Sequence, residues 1–374
     1  YIYMSNFIHF GCWNNLNKGC LNNVMKLLND RLNDRLKVDD KPTIDFLTIA
    51  GDNYYPKKQK VEGKKKKIIK PLLLEEGFAY LPTDIPIYMI LGNHDLETNI
   101  NIGEDNFFID NLDNAVKTNV CSIIDYEHQS TNKNQKIEYN LFKEIMLENK
   151  TLIIMIDTSM YSVDADKYLS CYKFFLTDTT TLSEYNIENL REYQLDLIIK
   201  TIAKYGEGGI RNLILIGHHP IIGLKEKDEN ITHINDIIEF DKVLKEIYSI
   251  LQDNVTYYYL CADVHLYQEG DIVIKIDDKT MNIKQYIVGT GGTELDKCPN
   301  KSEMEDVIEN DRLTYTMTRC EETCGFLECI NTSPVLEFSF NGVPTVGGKR
   351  KSKKKSKRKS KRKSKRKSRK SKRH

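Results

Sequence analysis

Short runs of apolar, β-prone residues alternate along this chain with longer stretches whose apolar positions recur every three or four residues. The short runs predict strands over residues 6–10, 45–50, 86–91, 137–142, 151–156, 212–216 and 255–261, with late strands over 272–276, 283–288 and 335–340. The longer spacing predicts helices. Over 16–36 the stripe is Leu21, Met25, Leu28, Leu32 and Leu36, and over 186–205 it runs through Leu190, Gln194, Leu197, Ile198 and Ile202. A third helix is expected over 237–251. Residues 56–85, with an unbroken basic run from Lys64 to Lys67, read as an insertion or long lid. Residues 96–134 are polar and weakly patterned, 224–235 read as loop, and Gly289-Thr290-Gly291-Gly292 reads as a turn. Strands alternating with helices and followed by further strands predict an α/β fold of two stacked mixed sheets with helices outside. The expected division is one domain over 1–345, carrying the 56–85 insertion, and a disordered basic tail over 346–374.

Charge sharpens that division. From Lys349 to His374, 19 of 26 residues are Lys or Arg and six are Ser. Taking those 19 from the chain's 55 basic residues leaves 36 against 54 acidic ones, so a net charge of +1 hides an acidic body and a basic tail. Such a tail cannot bury a core. It suits nuclear import, attachment to an anionic surface, or nucleic-acid binding that is sequence-independent and salt-sensitive, because no aromatics interleave the charges for base stacking. Phosphorylation at Ser352, Ser356, Ser360, Ser364, Ser368 or Ser371 would reduce its charge.

Nine cysteines without regular spacing predict free thiols in a reducing compartment. Cys320-x3-Cys324-x4-Cys329, with Cys298 as a fourth, has non-standard spacing for zinc and reads as unpaired, partly buried thiols. No basic start leads into an apolar core, so no secretory leader is expected, and no apolar run reaches the ~20 residues that cross a bilayer. The expected setting is intracellular: cytoplasm, nucleus or virion. The abundance of Lys, Ile and Asn is compatible with an AT-rich genome such as that of a large DNA virus.

Four segments carry the chemistry: Gly51-Asp52-Asn53-Tyr54-Tyr55, Gly92-Asn93-His94-Asp95, Gly217-His218-His219-Pro220 and Ala262-Asp263-Val264-His265. Each follows a predicted strand, and rigid strand ends can hold oxygen and nitrogen ligands in fixed geometry. Alone, each is an ordinary turn; together they read as a two-metal hydrolytic centre. Asp52 is the natural bridging carboxylate and Asn93 a neutral amide oxygen. Asp95 can orient the imidazole of His94 and keep it able to donate a proton. Adjacent histidines cannot point the same way, so His218 is assigned to the metals and His219 to the substrate side or the shell behind the ligands.

These segments, in this order, resemble the calcineurin-like metallophosphoesterases, and Gly-Asp-Asn-Tyr-Tyr is similar to the purple acid phosphatase branch. The resemblance spans roughly residues 6–295, including Ile156-Asp157-Thr158, the helix with Glu192-Tyr193-Gln194-Leu195 and the glycine turn. It implies a four-layer α/β/β/α sandwich and Tyr55 as a phenolate ligand suited to a hard trivalent cation. It also implies two metal ions, iron paired with iron, zinc or manganese. The chain departs from the family at two places: His9-Phe10-Gly11 stands where the family has Asp-x-Gly or Asp-x-His, and Ala262-Asp263-Val264-His265 where it has Gly-His-x-His. Mapped onto the family, one metal would see His9, Asp52, Tyr55 and His265, and the other Asp52, Asn93, His218 and Asp263. Asn6 replaces His9 only if the strand register shifts.

The function implied is hydrolysis of a phosphomonoester by metal-bound hydroxide, with His94 as general acid. Two alternatives stay open. One is a catalytically degenerate domain that binds a phosphorylated ligand, or nucleic acid through its tail. The other is a phosphodiesterase or nuclease.

Overall fold

β1 (Phe7–Phe10) has all four side chains buried, which marks an interior strand covered on both faces. In the computed structural model the described residues are 6–15, 19–33, 42–53, 55, 57–61, 64–69, 77–97, 107–109, 137–139, 141–169, 172, 186–206, 209–235, 237, 239–299, 307–309, 313–332 and 335–344. After β1 come a helix (Leu21–Asn33), β2 (Phe46–Ala50), β3 (Lys57–Val61), β4 (Lys64–Ile69), β5 (Ile87–Ile90) and a short helix (Asn93–Glu97). Next are β6 (Phe107–Ile109), β7 (Ile137–Tyr139), β8 (Phe142–Met146), β9 (Thr151–Ile156), a long helix (Ile187–Gly206), β10 (Asn212–Ile216), β11 (Gly223–Lys227) and β12 (Asn230–Ile234). The chain continues through a helix (Phe240–Leu251), β13 (Thr256–Cys261), β14 (Tyr267–Ile276), β15 (Lys279–Val288), β16 (Val307–Glu309), β17 (Leu313–Glu321), β18 (Gly325–Asn331) and β19 (Leu336–Gly342). Tyr1–Val343 and Pro344–His374 are separate units.

Two large mixed sheets form the core. One has the order β19-β18-β1-β2-β5-β7, the other β16-β17-β14-β15-β13-β10-β9-β8. β1, β2 and β5 run parallel in the first, and β9, β10 and β13 in the second. Each set therefore ends at one edge of its sheet. Aromatic pairs join the sheets: Tyr267 stacks on Phe340 at 4.1 Å, and Tyr286 on Phe338 at 4.7 Å. The Leu21–Asn33 helix packs on β18, and the Ile187–Gly206 helix packs on β8, β9 and the Phe240–Leu251 helix. The long helix starts where the Asn186 side chain accepts the Asn189 N–H at 2.8 Å, an N-cap that satisfies an otherwise orphaned donor. Two mixed sheets flanked by helices is the expected α/β architecture.

Several element expectations need correction. Residues 224–235 are no loop but the β11–β12 hairpin, whose mostly half-exposed GLKEK and NITHI carry little apolar alternation to reveal it. The strand expected over 137–142 divides into β7 and β8, which belong to different sheets. β16, β17 and β18 lie in a stretch with no strand expected, and β14 begins at Tyr267, five residues early. Within 56–85, β3 and β4 pair as a hairpin, and β6 from the polar stretch joins them in a three-stranded sheet. Residues 56, 62–63 and 70–76 of that insertion, most of 96–134, Tyr54 and the basic tail beyond Pro344 lie outside the described residues. Among the described residues no helix is long and apolar enough to cross a membrane.

The expectation of free thiols is overturned at four of the seven described cysteines, and Cys121 and Cys171 lie outside the described residues. Cys20 is bonded to Cys324, 304 residues away, and Cys298 to Cys320. Of the Cys320, Cys324 and Cys329 cluster only Cys329 keeps its thiol; Cys12 and Cys261 are also free and buried. The three clustered cysteines serve separate contacts because β17 ends and β18 begins between them. Disulfides persist in oxidising surroundings, so the thiols no longer support a reducing, intracellular setting. Non-reducing peptide mapping is expected to recover Cys20 linked to Cys324 and Cys298 linked to Cys320. Cys324→Ser is expected to cost about 2–5 kcal/mol in denaturant unfolding. Recovery of all four as thiols from undenatured protein would contradict this pairing.

Candidate metal centre

A simple rule places the chemistry. Cys12, Asp52, His218 and Asp263 each stand two residues beyond the end of a strand: β1, β2, β10 and β13 respectively. Asn93 stands three beyond β5. Three of these residues hold left-handed backbone, Cys12 at φ 52°, Asp52 at 53° and Asp263 at 57°. Such conformations are costly for side chains with a Cβ and gather where the surroundings impose them for function. The backbones also approach closely here. A Cβ on Gly51, itself at φ 79°, would lie 2.5 Å from the Gly92 nitrogen, and one on Gly92 would lie 2.4 Å from Asp52 Oδ1. Only glycine allows the β2 and β5 loops to meet under the Asp52 carboxylate.

Asp52, 1% exposed, points one oxygen to each side. His218 Nε2 lies 3.3 Å from Asp52 Oδ1, 3.1 Å from Asn93 Oδ1 and 3.6 Å from Asp263 Oδ1. On the other side Tyr55 Oη donates to Asp52 Oδ2 at 2.9 Å and lies 3.2 Å from His265 Nε2. Cys12 Sγ is 3.7 Å from the same Oδ2. Cys12, Asp52 and His265 each offer a ligand atom within 4.8 Å of the others, as do His218, His219 and Asp263.

The donor chemistry fits bound cations. His218 Nδ1 sits 2.6 Å from the Ala50 carbonyl, so Nδ1–H donates there and Nε2 is turned toward three oxygens. That is how proteins orient a metal-ligating imidazole. Acceptors facing one another suit a shared cation. Burial lowers the His218 pKa, but Asp52, Asp263 and the Ala50 carbonyl outweigh it and raise the pKa overall. Burial likewise opposes ionisation of Asp52, yet His218, His94 and His265 hold its carboxyl down at about 2. Burial raises Asp263 and lowers His265.

Around this core sit the positioning groups. Asp95 accepts from the Asn53 N–H at 2.9 Å, the Asn53 amide at 3.0 Å and the Gly92 N–H at 2.8 Å, tying the β2 and β5 loops together. Burial, then the charge of Asp52, pushes its carboxyl up to about 7. The His94 N–H donates to Asp52 Oδ1 at 3.1 Å, and its half-buried ring stands 4.9 Å from that of Tyr55. Thr158, two beyond β9, accepts the backbone N–H groups of His218 and His219 on its hydroxyl at 2.9 and 3.0 Å, and lies 3.1 Å from His219 Nδ1. Burial, then neighbouring His218, pushes His219 well down, so it is neutral.

Of the expected metal ligands, His9 alone stands inside a strand and not in a segment beyond one. It lies inside β1, paired to Thr48 of β2, with Nδ1 3.0 Å from the Thr48 hydroxyl. Burial, against a backbone bond with Cys261, holds it down at about 3. Cys12, which was not among the expected site residues, occupies the loop position after β1 at the offset shared by Asp52, His218 and Asp263. His9→Asn is expected to lower stability by about 1–3 kcal/mol in urea unfolding, through disturbed buried hydrogen bonding. The number of metal ions bound should stay unchanged; loss of one ion from this variant would return His9 to the ligand set.

Residues 5–267 match the calcineurin-like phosphoesterase family, a span that contains all four motif segments. No curated protein sequence matches the chain. Among solved structures, "GAP50 the anchor in the inner membrane complex of Plasmodium" is similar at 13% identity and a TM-score of 0.46, over 92% of this chain and 86% of that one. With the family match spanning most of its length, the chain belongs to the calcineurin-like phosphoesterases.

Proposed function

We propose that this chain is a two-metal phosphoesterase acting on phosphomonoesters, with a site similar to the purple acid phosphatase branch. Membership of the family implies metal-dependent hydrolysis of phosphoesters. The observation that carries the finer reading is Asp52: one buried carboxylate with Oδ1 among His218, Asn93 and Asp263 and Oδ2 beside Tyr55 and Cys12. Asp52 would be shared by both ions. Tyr55 and His265 would hold one, and Asn93, His218 and Asp263 the other. When bound, the two cations supply Lewis-acid activation of water and neutralise charge on the phosphoryl group.

The remaining work falls to the chain. The Ala50 carbonyl fixes the His218 tautomer, leaving Nε2 as the donor atom. Thr158 pins the backbone of the His218-His219 pair. Asp95 holds the Asn53 and Gly92 loops in register, and its three hydrogen bonds support a positioning role. The Asn93–Glu97 helix starts next to Asp52 and carries His94, whose ring stands beside that of Tyr55. From there His94 donates a proton to the leaving-group oxygen, so the alcohol departs neutral. His219, neutral and 3% exposed, belongs behind the ligands more than on the substrate side.

Elemental analysis is expected to find two ions per chain, with turnover of a generic phosphomonoester supported by iron, zinc or manganese. Asp52→Ala should lose metal and activity together. His94→Ala should keep its metal and lose about 10²–10⁴-fold in kcat. Full activity in either variant contradicts the mechanism. A metal-loaded wild-type protein that binds phosphate esters without turning them over would instead mark a phospholigand-binding domain.

A further inference from the structure

Cys12 is the group at the centre that the foregoing reading leaves unused. It occupies the loop position after β1 that Asp52 occupies after β2 and Asp263 after β13, in the same left-handed backbone. Its Sγ approaches Asp52 Oδ2 at 3.7 Å, the oxygen that also takes the Tyr55 phenol, and that phenol faces His265 Nε2. Donors of four chemical kinds thus gather at Asp52 Oδ2: thiol, carboxylate, phenol and imidazole. The thiol is fully buried and takes part in no disulfide. A cysteine serving only as a small apolar filler packs among hydrocarbon, whereas this one faces a carboxylate and a phenol.

We propose that Cys12 is a thiolate ligand of the metal ion on the Tyr55 and His265 side of Asp52, making that half of the centre selective for zinc, cobalt or ferrous iron over manganese and magnesium. The proposal rests on the two-metal reading. On binding, the S–H bond gives way to a sulfur–metal bond and the proton passes to solvent. Thiolate donors select borderline and soft cations, whereas carboxylate and carbonyl donors suit manganese and magnesium. Among the described residues the Asn93, Asp263 and His218 side has no sulfur donor and keeps the broader preference. The two halves therefore differ in softness, and the hard trivalent ion implied by the family's tyrosine gives way to a divalent one beside Cys12.

Spectroscopic titration of the metal-stripped full chain with Co(II) tests this without reference to turnover. The wild-type protein should develop a sulfur-to-cobalt charge-transfer band in the near ultraviolet. The band should be lost in Cys12→Ser and Cys12→Asp and kept in Cys261→Ala and Cys329→Ala. Cys12→Asp should bind as many cobalt ions as the wild type and shift zinc–manganese competition toward manganese. Cobalt uptake by the wild type without the band overturns the thiolate ligand alone, even if a variant fails to fold. A band that survives Cys12→Ser does the same. No cobalt uptake overturns the two-metal reading, and this proposal with it.

Discussion

A carboxylate buried between two sheets cannot stay ionised unless positive charge surrounds it, and this molecule is organised around that constraint at Asp52. Its pKa, about 2 despite full burial, reflects His218, His94 and His265 converging from three separate segments. Those segments are held in place by contacts that do no chemistry. The Ala50 carbonyl orients His218, Asp95 bridges the loops after β2 and β5, and Thr158 gathers the paired histidines. Such a set of facing acceptors is what bound metals would require.

The sheets explain why these groups meet. Parallel strands end at one edge, and two parallel sets facing each other present their loops to a common space. A constant offset of two residues then delivers Cys12, Asp52, His218 and Asp263. Three of the four accept left-handed backbone to do so. That strain is sustained by the surrounding core and by the disulfide from Cys20 to the start of β18, next to the turn where Cys20 N–H donates to the Gly292 carbonyl.

Much of this was legible in the sequence because the parallel strands are mostly apolar. β1, β2, β5, β9 and β10 are wholly buried and stand out as uninterrupted runs, so the motifs at their ends could be placed before any coordinates. Less was legible where strands are half exposed. The β11–β12 hairpin has no clear alternation, and β17 shows only Tyr315 and Met317 as buried positions. The cysteine pairing could not be read at all, since spacing says nothing about a partner 304 residues away. Cys12 is the instructive miss. Histidine is the commoner ligand, and His9 drew the assignment, yet its side chain lies inside β1 with Nδ1 beside the Thr48 hydroxyl. The offset from Phe10 places Cys12, not His9, in line with Asp52, His218 and Asp263.

The central claim is that Asp52 joins two metal sites formed where the two sheets' strand ends converge. Anomalous diffraction from crystals of the metal-loaded protein, recorded either side of the absorption edge of the metal supplied, tests it most directly. The account predicts two peaks, one next to each Asp52 oxygen, the first beside Tyr55, His265 and Cys12 and the second beside Asn93, His218 and Asp263. A fully loaded crystal with no peak at Asp52, or with a single peak bound elsewhere, would contradict it.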